Sequence, residues 1–389
     1  MHLRYWAPLI GLVTAVFLFN MSEFMPIGIL TGIAEDLDIS ESTAGSIISI
    51  YAWAVAILSL PMMLLFRKME YRKLMLLMVA IFASFQALSG LSNDYLMLVV
   101  SRLGVAFSHS VFWSIVTPMA VMSVNPGHRR TAIGAIAVGT SMAMILGLPL
   151  GRTVGLLLGW RMSFILIAVM AVCVLVLLFI VLPKMENPGT FTLSRLPDVV
   201  FDRRLLSIYV FVAIFVTGHF IGYSYIEPFL KDVGGMSEGI VTIALTLFGA
   251  AGIVGGIIFA RWYDNRRTLF ILSAILGACL SMLAIAFVPD LVLPIMVLCF
   301  IWGLCITLFN TASQNEVIRC SAMDSVTIAV SLMSGIYNVG IAMGSLLGGM
   351  IIDHISIDQV LVYGAVVIAI SSFVIIISSL SLSSQKVDN

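Results

Sequence analysis

Twelve stretches of this chain are each long and apolar enough to cross a lipid bilayer as a helix. They run over residues 7–30, 43–66, 73–92, 95–122, 131–157, 162–182, 206–230, 238–261, 268–288, 291–317, 325–352 and 358–380. About 20 apolar residues span the ~30 Å hydrocarbon core. No water is present there to bond the backbone, so segments of this kind must satisfy their own peptide groups, and they do so as helices. With 61% hydrophobic and 10% charged residues over 389 positions, too little polar surface remains to coat a soluble globule. The expected fold class is therefore an all-α membrane protein of twelve transmembrane helices.

The basic residues predict an orientation. With a cytoplasmic amino terminus, sixteen Lys and Arg fall in inside segments, and only Arg161 and Lys231 fall in outside loops. Such a bias toward positive inside segments, with an even number of spans, predicts both termini in the cytoplasm. The zero formal net charge conceals this sidedness and gives no reason to expect a nucleic-acid partner. The first apolar stretch is too long for a signal core and ends without a small-residue cleavage site, so it is expected to stay as the first helix. The five cysteines (Cys173, Cys279, Cys299, Cys305 and Cys320) lack paired metal-ligand spacing and read as packing residues.

The longest polar interruption, LPKMENPGTFTLSRLPDVVFDRR, falls midway. It predicts a cytoplasmic linker over 183–205 between an amino-terminal half, 1–182, and a carboxy-terminal half, 206–389. Local features recur about 200 residues apart and point to a duplicated six-helix unit. Glu23 with Pro26 is echoed by Glu227 with Pro228, RKMEYRK by RWYDNRR, and GLPLG by GSLLGG. In duplicated transporters of this kind the substrate sits between the halves, near the midplane.

Two charges stand inside apolar spans. Glu23 lies in AVFLFNMSEFMPIGIL and Arg102 in LMLVVSRLGVAFSHSVFW. A charge in the bilayer costs at least ~2.5 kcal/mol, so such residues face a partner, water or substrate. At 1.5 Å per residue, Glu23 lies about 22 Å above Pro8 and Arg102 about 12 Å below Asp94 on an antiparallel span, so their depths differ by about 6 Å. Arg102, Ala106, His109 and Trp113 share one helical face. His109 on that face reads either as a proton relay, since imidazole titrates near neutral pH, or as a neutral hydrogen-bonding group. His219, Tyr223 and Glu227 form a stripe on the seventh span, and helical rise puts Glu227 about 30 Å above Ser207, near the outer surface, as a gate. Asn20, Tyr51, Trp53, Asn310, Gln314 and Asn338 complete the polar and aromatic candidates for substrate contact. Asn and Gln in such helices also serve as hydrogen-bond glue between helices.

These residues resemble the major facilitator superfamily over essentially the whole chain, in its drug:proton antiporter branch, and most closely bacterial sugar-efflux transporters of the SotB type. The resemblance is carried by NMSEFMPIGIL, IYAWAVAILSLPMMLL, SRLGVAFSHSVFWSI, GTSMAMILGLPLGRTVG with GWRMSF, and YSYIEPF. It implies two pseudo-symmetric six-helix halves with the first, fourth, seventh and tenth helices lining a cavity, and it therefore places Glu23 beside Arg102. A pair whose separation changes during alternating access would load and release a proton; a static ion pair fixing the helices, or an arginine bonded to helix carbonyls, is the competing reading. The resemblance also implies gating roles for Gly147, Pro149 and Gly151 in the fifth helix, and for Asp264, Arg266 and Arg267 between the eighth and ninth. The loop between the second and third helices departs from the family pattern, keeping its basic residues without the glycine and aspartate, and Leu148 is inserted between Gly147 and Pro149.

The expected function is export of small sugars or sugar-like compounds, such as arabinose or thiogalactosides, by proton antiport from the bacterial inner membrane. Its partners would be a sugar substrate, protons and the bilayer, with a monomer sufficient for transport. The alternative is a multidrug:proton antiporter for amphipathic or lipophilic compounds. The chain has no HExxH, GxSxG, Asp-rich cluster or phosphate loop, so no enzyme, metal or cofactor is expected.

Overall fold

The computed structural model describes residues 2–186, 196–263, 266–321 and 326–384, and among these there is no strand. Twelve helices among the described residues are long and apolar enough to cross a membrane. They are α1 (Trp6–Leu37), α2 (Glu41–Phe66), α3 (Tyr71–Gly90), α4 (Tyr95–Met122), α5 (Thr131–Leu158), α6 (Trp160–Val181), α7 (Arg203–Tyr223), α8 (Glu238–Trp262), α9 (Arg267–Phe287), α10 (Val292–Cys320), α11 (Ile328–His354) and α12 (Ile357–Val374). Large apolar side chains such as Leu157, Phe179, Ile180, Phe287 and Leu293 stand exposed on their outer faces. That is the inverse of a soluble surface and suits a hydrocarbon solvent.

Side-chain caps set several helix starts. Ser40 accepts from the Thr43 amide, Asp94 from that of Met97, and Asp202 from those of Arg204 and Leu205. A single glycine, Gly159 at φ 88°, separates α5 from α6, a left-handed conformation that favours glycine.

The chain divides into two compact units, Met1–Phe191 and Thr192–Asn389, holding α1–α6 and α7–α12. Within unit 1 the main packed pairs are α2 with α4, α3 with α4, α3 with α6, α1 with α6 and α1 with α5. Unit 2 repeats the same five pairs six helices later: α8 with α10, α9 with α10, α9 with α12, α7 with α12 and α7 with α11. Much of the expected linker, 187–195, lies outside the described residues, and a short helix, Leu196–Val200, follows it.

Prolines break the helices that open each unit. In α1 the helix His2–Phe24 tightens into a 3₁₀ segment, Met25–Ile29, at Pro26, and resumes over Leu30–Leu37. The first span therefore runs to Leu37, past its expected end at Leu30, because the break bends the helix without ending it. In unit 2, α7 ends at Tyr223, and a turn at Ile226–Pro228 leads into a π-helical segment, Phe229–Val233. A proline has no N–H to bond the carbonyl four residues back, and its ring crowds that carbonyl. Small residues let neighbours close on these helices. A Cβ on Gly151 would fall 2.3 Å from Met25 Cγ, and one on Gly344 would fall 2.4 Å from the Thr217 carbonyl of α7. The GLPLG and GSLLGG segments thus seat on the opening helix of their own units.

Candidate functional site

In unit 1, α4 presents Arg102, His109 and Trp113 toward α1 and α2. His109 is the hub. Its Nδ1 lies 2.5 Å from the Tyr51 hydroxyl, its Nε2 accepts from the Trp113 indole N–H, and Glu23 Oε2 lies 3.4 Å from the same Nε2. The imidazole is buried, whereas the Glu23 side chain keeps 11% of its surface accessible. Phe19 stacks between Phe82 and Phe112 at centroid distances of 4.0 and 3.8 Å, forming an apolar wall beside His109.

Arg102 does something other than pair with Glu23. Among the described residues the two form no ion pair. Nη2 of Arg102 donates to the Ser22 carbonyl at 3.1 Å and Nη1 to Ser22 Oγ at 3.2 Å, while the guanidinium lies 4.4 Å from the Tyr51 ring centroid. Ser22 is four residues before Pro26, so its carbonyl is the one that the proline leaves without a helical donor. Gln86 also donates to Ser22 Oγ. The expected Glu23–Arg102 pair gives way to the competing reading of an arginine bonded to a helix carbonyl: both groups lie at similar depth, but the freed carbonyl one residue earlier takes the guanidinium. A second buried arginine, Arg152 of α5, donates to the Gly28 carbonyl at 2.5 Å, beyond the same break. Two cations thus hold the interrupted segment of α1, and their burial is offset by backbone oxygens.

Unit 2 carries a different cluster. His219 and Tyr223 of α7 stack at 4.9 Å, Tyr223 stacks on Phe248 of α8 at 4.7 Å, and Trp302 of α10 meets His219 edge-on at 5.4 Å. A Cβ on Gly303 would fall 2.0 Å from the Phe248 carbonyl, so glycine there lets α10 and α8 approach and brings Trp302 against Phe248. Cys299, Cys305 and Cys279 are buried here, and all five cysteines are free.

The remaining candidates are dispersed. Asn20 donates to the Val16 carbonyl and Asn338 to the Ser334 carbonyl, each at 3.0 Å along its own helix. Trp53 is half-buried and, two residues beyond Tyr51, points away from the His109 cluster. Asn310 is half-buried and Gln314 exposed on α10. Glu227 is buried at the turn after α7, not at an open mouth. Gly147 closes a π-helical segment, Ala143–Gly147, and Pro149 opens the helix after it, where Gly147 and Gly151 contact α1. Arg266 is exposed in a cleft with Trp262, Leu269, Phe270 and Ser273; Arg267 begins α9, and Asp264 lies outside the described residues. Among the described residues no group of three or more His, Cys, Asp or Glu converges as a metal site.

Sequence reasoning missed Ser22, Gln86, Arg152, Phe248 and Trp302. Ser22 had a signal, because the residue four before an intramembrane proline must find a donor. Phe248 had one too: it follows Tyr51 by 197 residues, as Phe309 follows Phe112 by 197 and Phe215 follows Phe19 by 196. Phe215 and Phe309 stack at 3.5 Å, repeating the Phe19–Phe112 stack. This shift corrects the repeat register, since Glu23 corresponds to His219 and not to Glu227.

Twelve apolar helices in two repeated six-helix units define a multi-pass membrane protein of the transporter class. The chain belongs to the Major Facilitator Superfamily, whose sequence model matches residues 12–321 and 235–386. Among solved structures, a bacterial homolog of the human lysosomal transporter Spinster superposes with a TM-score of 0.79 at 16% identity, covering 97% of both chains. The nucleoside transporter NupG gives 0.77 at 11% identity, covering 95% of this chain and 99% of its own. The peptide transporter POT, solved with sulfate, gives 0.77 at 13% identity, covering 97% and 94%. Identities this low establish the shared fold alone.

Proposed function

We propose that this transporter exports small sugars or sugar-like compounds in exchange for protons, as a member of the drug:proton antiporter branch. The observation that carries the proton coupling is the Glu23–His109 contact. The Trp113 indole can only donate, so it occupies the Nε2 lone pair of His109. With that lone pair taken, a carboxylate 3.4 Å from the same nitrogen faces an acceptor with no proton to offer, a repulsion that is relieved when Glu23 itself is protonated. The site therefore favours holding one proton, and Glu23, its accessible member, is the carrier. His109 is its partner, and Arg102 is a positioning residue for α1. Tyr51 and Trp113 fix the imidazole.

Alternating access would rock the two units about a central site. Proton release from Glu23 would leave a carboxylate whose contacts with α4 differ from those of the acid, biasing one state over the other. The sugar assignment rests on the motifs of α1, α2, α4, α5 and α7 that resemble sugar-efflux transporters. We place the protein in a bacterial inner membrane with both termini cytoplasmic, acting as a monomer without cofactor or metal.

Inside-out vesicles energised with a proton gradient test this reading. They should accumulate radiolabelled arabinose or a thiogalactoside, and a protonophore should abolish the uptake. Glu23→Gln should lose uphill accumulation while retaining sugar exchange. Accumulation of a lipophilic cation with no sugar uptake would replace the proposal with multidrug export.

A further inference from the structure

The two clusters occupy equivalent places in the repeat and differ in how their polar atoms are satisfied. In unit 1 both ring nitrogens of His109 are engaged. In unit 2, among the described residues, His219 Nδ1 and Trp302 Nε1 are buried without a hydrogen-bond partner, and Tyr223 stacks on His219 in the same cluster. His219 is 3% exposed and Trp302 0%. Buried polar atoms in native proteins are almost always paired, so two idle ones in one aromatic cluster call for a ligand. The shift of 196–197 residues matches Glu23 to His219, Arg102 to Cys299 and His109 to Ile306, so none of these three positions in unit 2 holds a carboxylate or a guanidinium.

Resting on the sugar-export reading, we infer that His219, Tyr223, Phe248 and Trp302 form the sugar-hydroxyl subsite of unit 2, distinct from the proton site of unit 1. The Trp302 indole N–H donates to one hydroxyl oxygen, and His219 Nδ1 and the Tyr223 hydroxyl bond its neighbours. The faces of Tyr223 and Phe248, stacked on each other at 4.7 Å, part to take the C–H face of the sugar ring. A neutral polyhydroxylated ring uses both the faces and the polar atoms. A lipophilic cation uses only the faces.

Trp302→Phe and Tyr223→Phe delete a polar group and keep an aromatic ring. In proteoliposomes each should raise the KM for thiogalactoside export about three- to tenfold, the loss of one hydrogen bond. Transport of a lipophilic cation, where present, and proton dependence should stay as in the unaltered protein. Wild-type KM in Tyr223→Phe, which removes a single oxygen and so folds if either variant does, would overturn the inference while sugar export stands. An equal rise in KM for sugar and cation would also overturn it. An unaltered protein that moves the cation but no sugar would instead overturn the sugar-export reading and this subsite together.

Discussion

Pro26 and Arg102 should behave as one unit, and a double-mutant cycle measures this. Replacing Arg102 by Met keeps the bulk and removes the guanidinium from a site where it is 1% exposed. Two charged hydrogen bonds to Ser22 are lost, each worth about 1.5–3 kcal/mol. The contact over the Tyr51 ring, about 0.5–2 kcal/mol, is lost as well. Arg102→Met alone should therefore be strongly destabilising. In a Pro26→Ala background, residue 26 regains an N–H that can bond the Ser22 carbonyl along the helix. The same Arg102→Met change should then cost about 1.5–3 kcal/mol less, the worth of the carbonyl bond. Apparent melting temperatures of the four purified proteins, in one detergent at one scan rate, give the non-additivity. Costs that simply add would refute the claim that Arg102 is there to satisfy the carbonyl freed by Pro26.

Other expectations follow from packing and orientation. Gly303→Ala places a methyl carbon 2.0 Å from the Phe248 carbonyl, a backbone atom that cannot swing aside, and should abolish stable expression. Gly256→Ala, with nothing within 4 Å, should leave the melting temperature unchanged or raise it through the better helix propensity of alanine, by up to about 1 kcal/mol of stability. Green fluorescent protein fused to the carboxy terminus should fluoresce, and alkaline phosphatase fused there should be inactive; the reverse pattern would overturn the cytoplasmic placement of that end.

The spans were legible in the sequence because hydropathy over 20 residues depends on composition, not on neighbours. Their number and approximate edges held, and the first span ran longer because a proline inside a membrane helix bends it where its freed carbonyl has a donor. The intramembrane charges were legible as anomalies, and helix carbonyls were among the partners open to Arg102, but which carbonyl, and the partner of Glu23, were not. Helical rise gives depth, whereas partnership depends on which way each face turns, and that is set by contacts between helices. Glu23 was thereby assigned to Arg102 when the nearer group was His109. Trp302 was hidden for a different reason: in a chain rich in apolar residues, a tryptophan carries no local mark, and only its place in the repeat, equivalent to Val105, sets it beside the residues that matter. The GLPLG and GSLLGG segments were readable as close-approach sites, since only small residues admit a neighbouring backbone.

The most direct test of proton exchange through Glu23 is to count protons against sugar. Proteoliposomes are loaded with a thiogalactoside and a trapped pH dye, then diluted into sugar-free buffer. As sugar leaves, the lumen should acidify in proportion; Glu23→Gln should show neither net efflux nor acidification there, yet should still exchange its sugar when diluted into buffer that holds the thiogalactoside. Sugar efflux from the unaltered protein without acidification, or acidification undiminished in Glu23→Gln, would contradict the account.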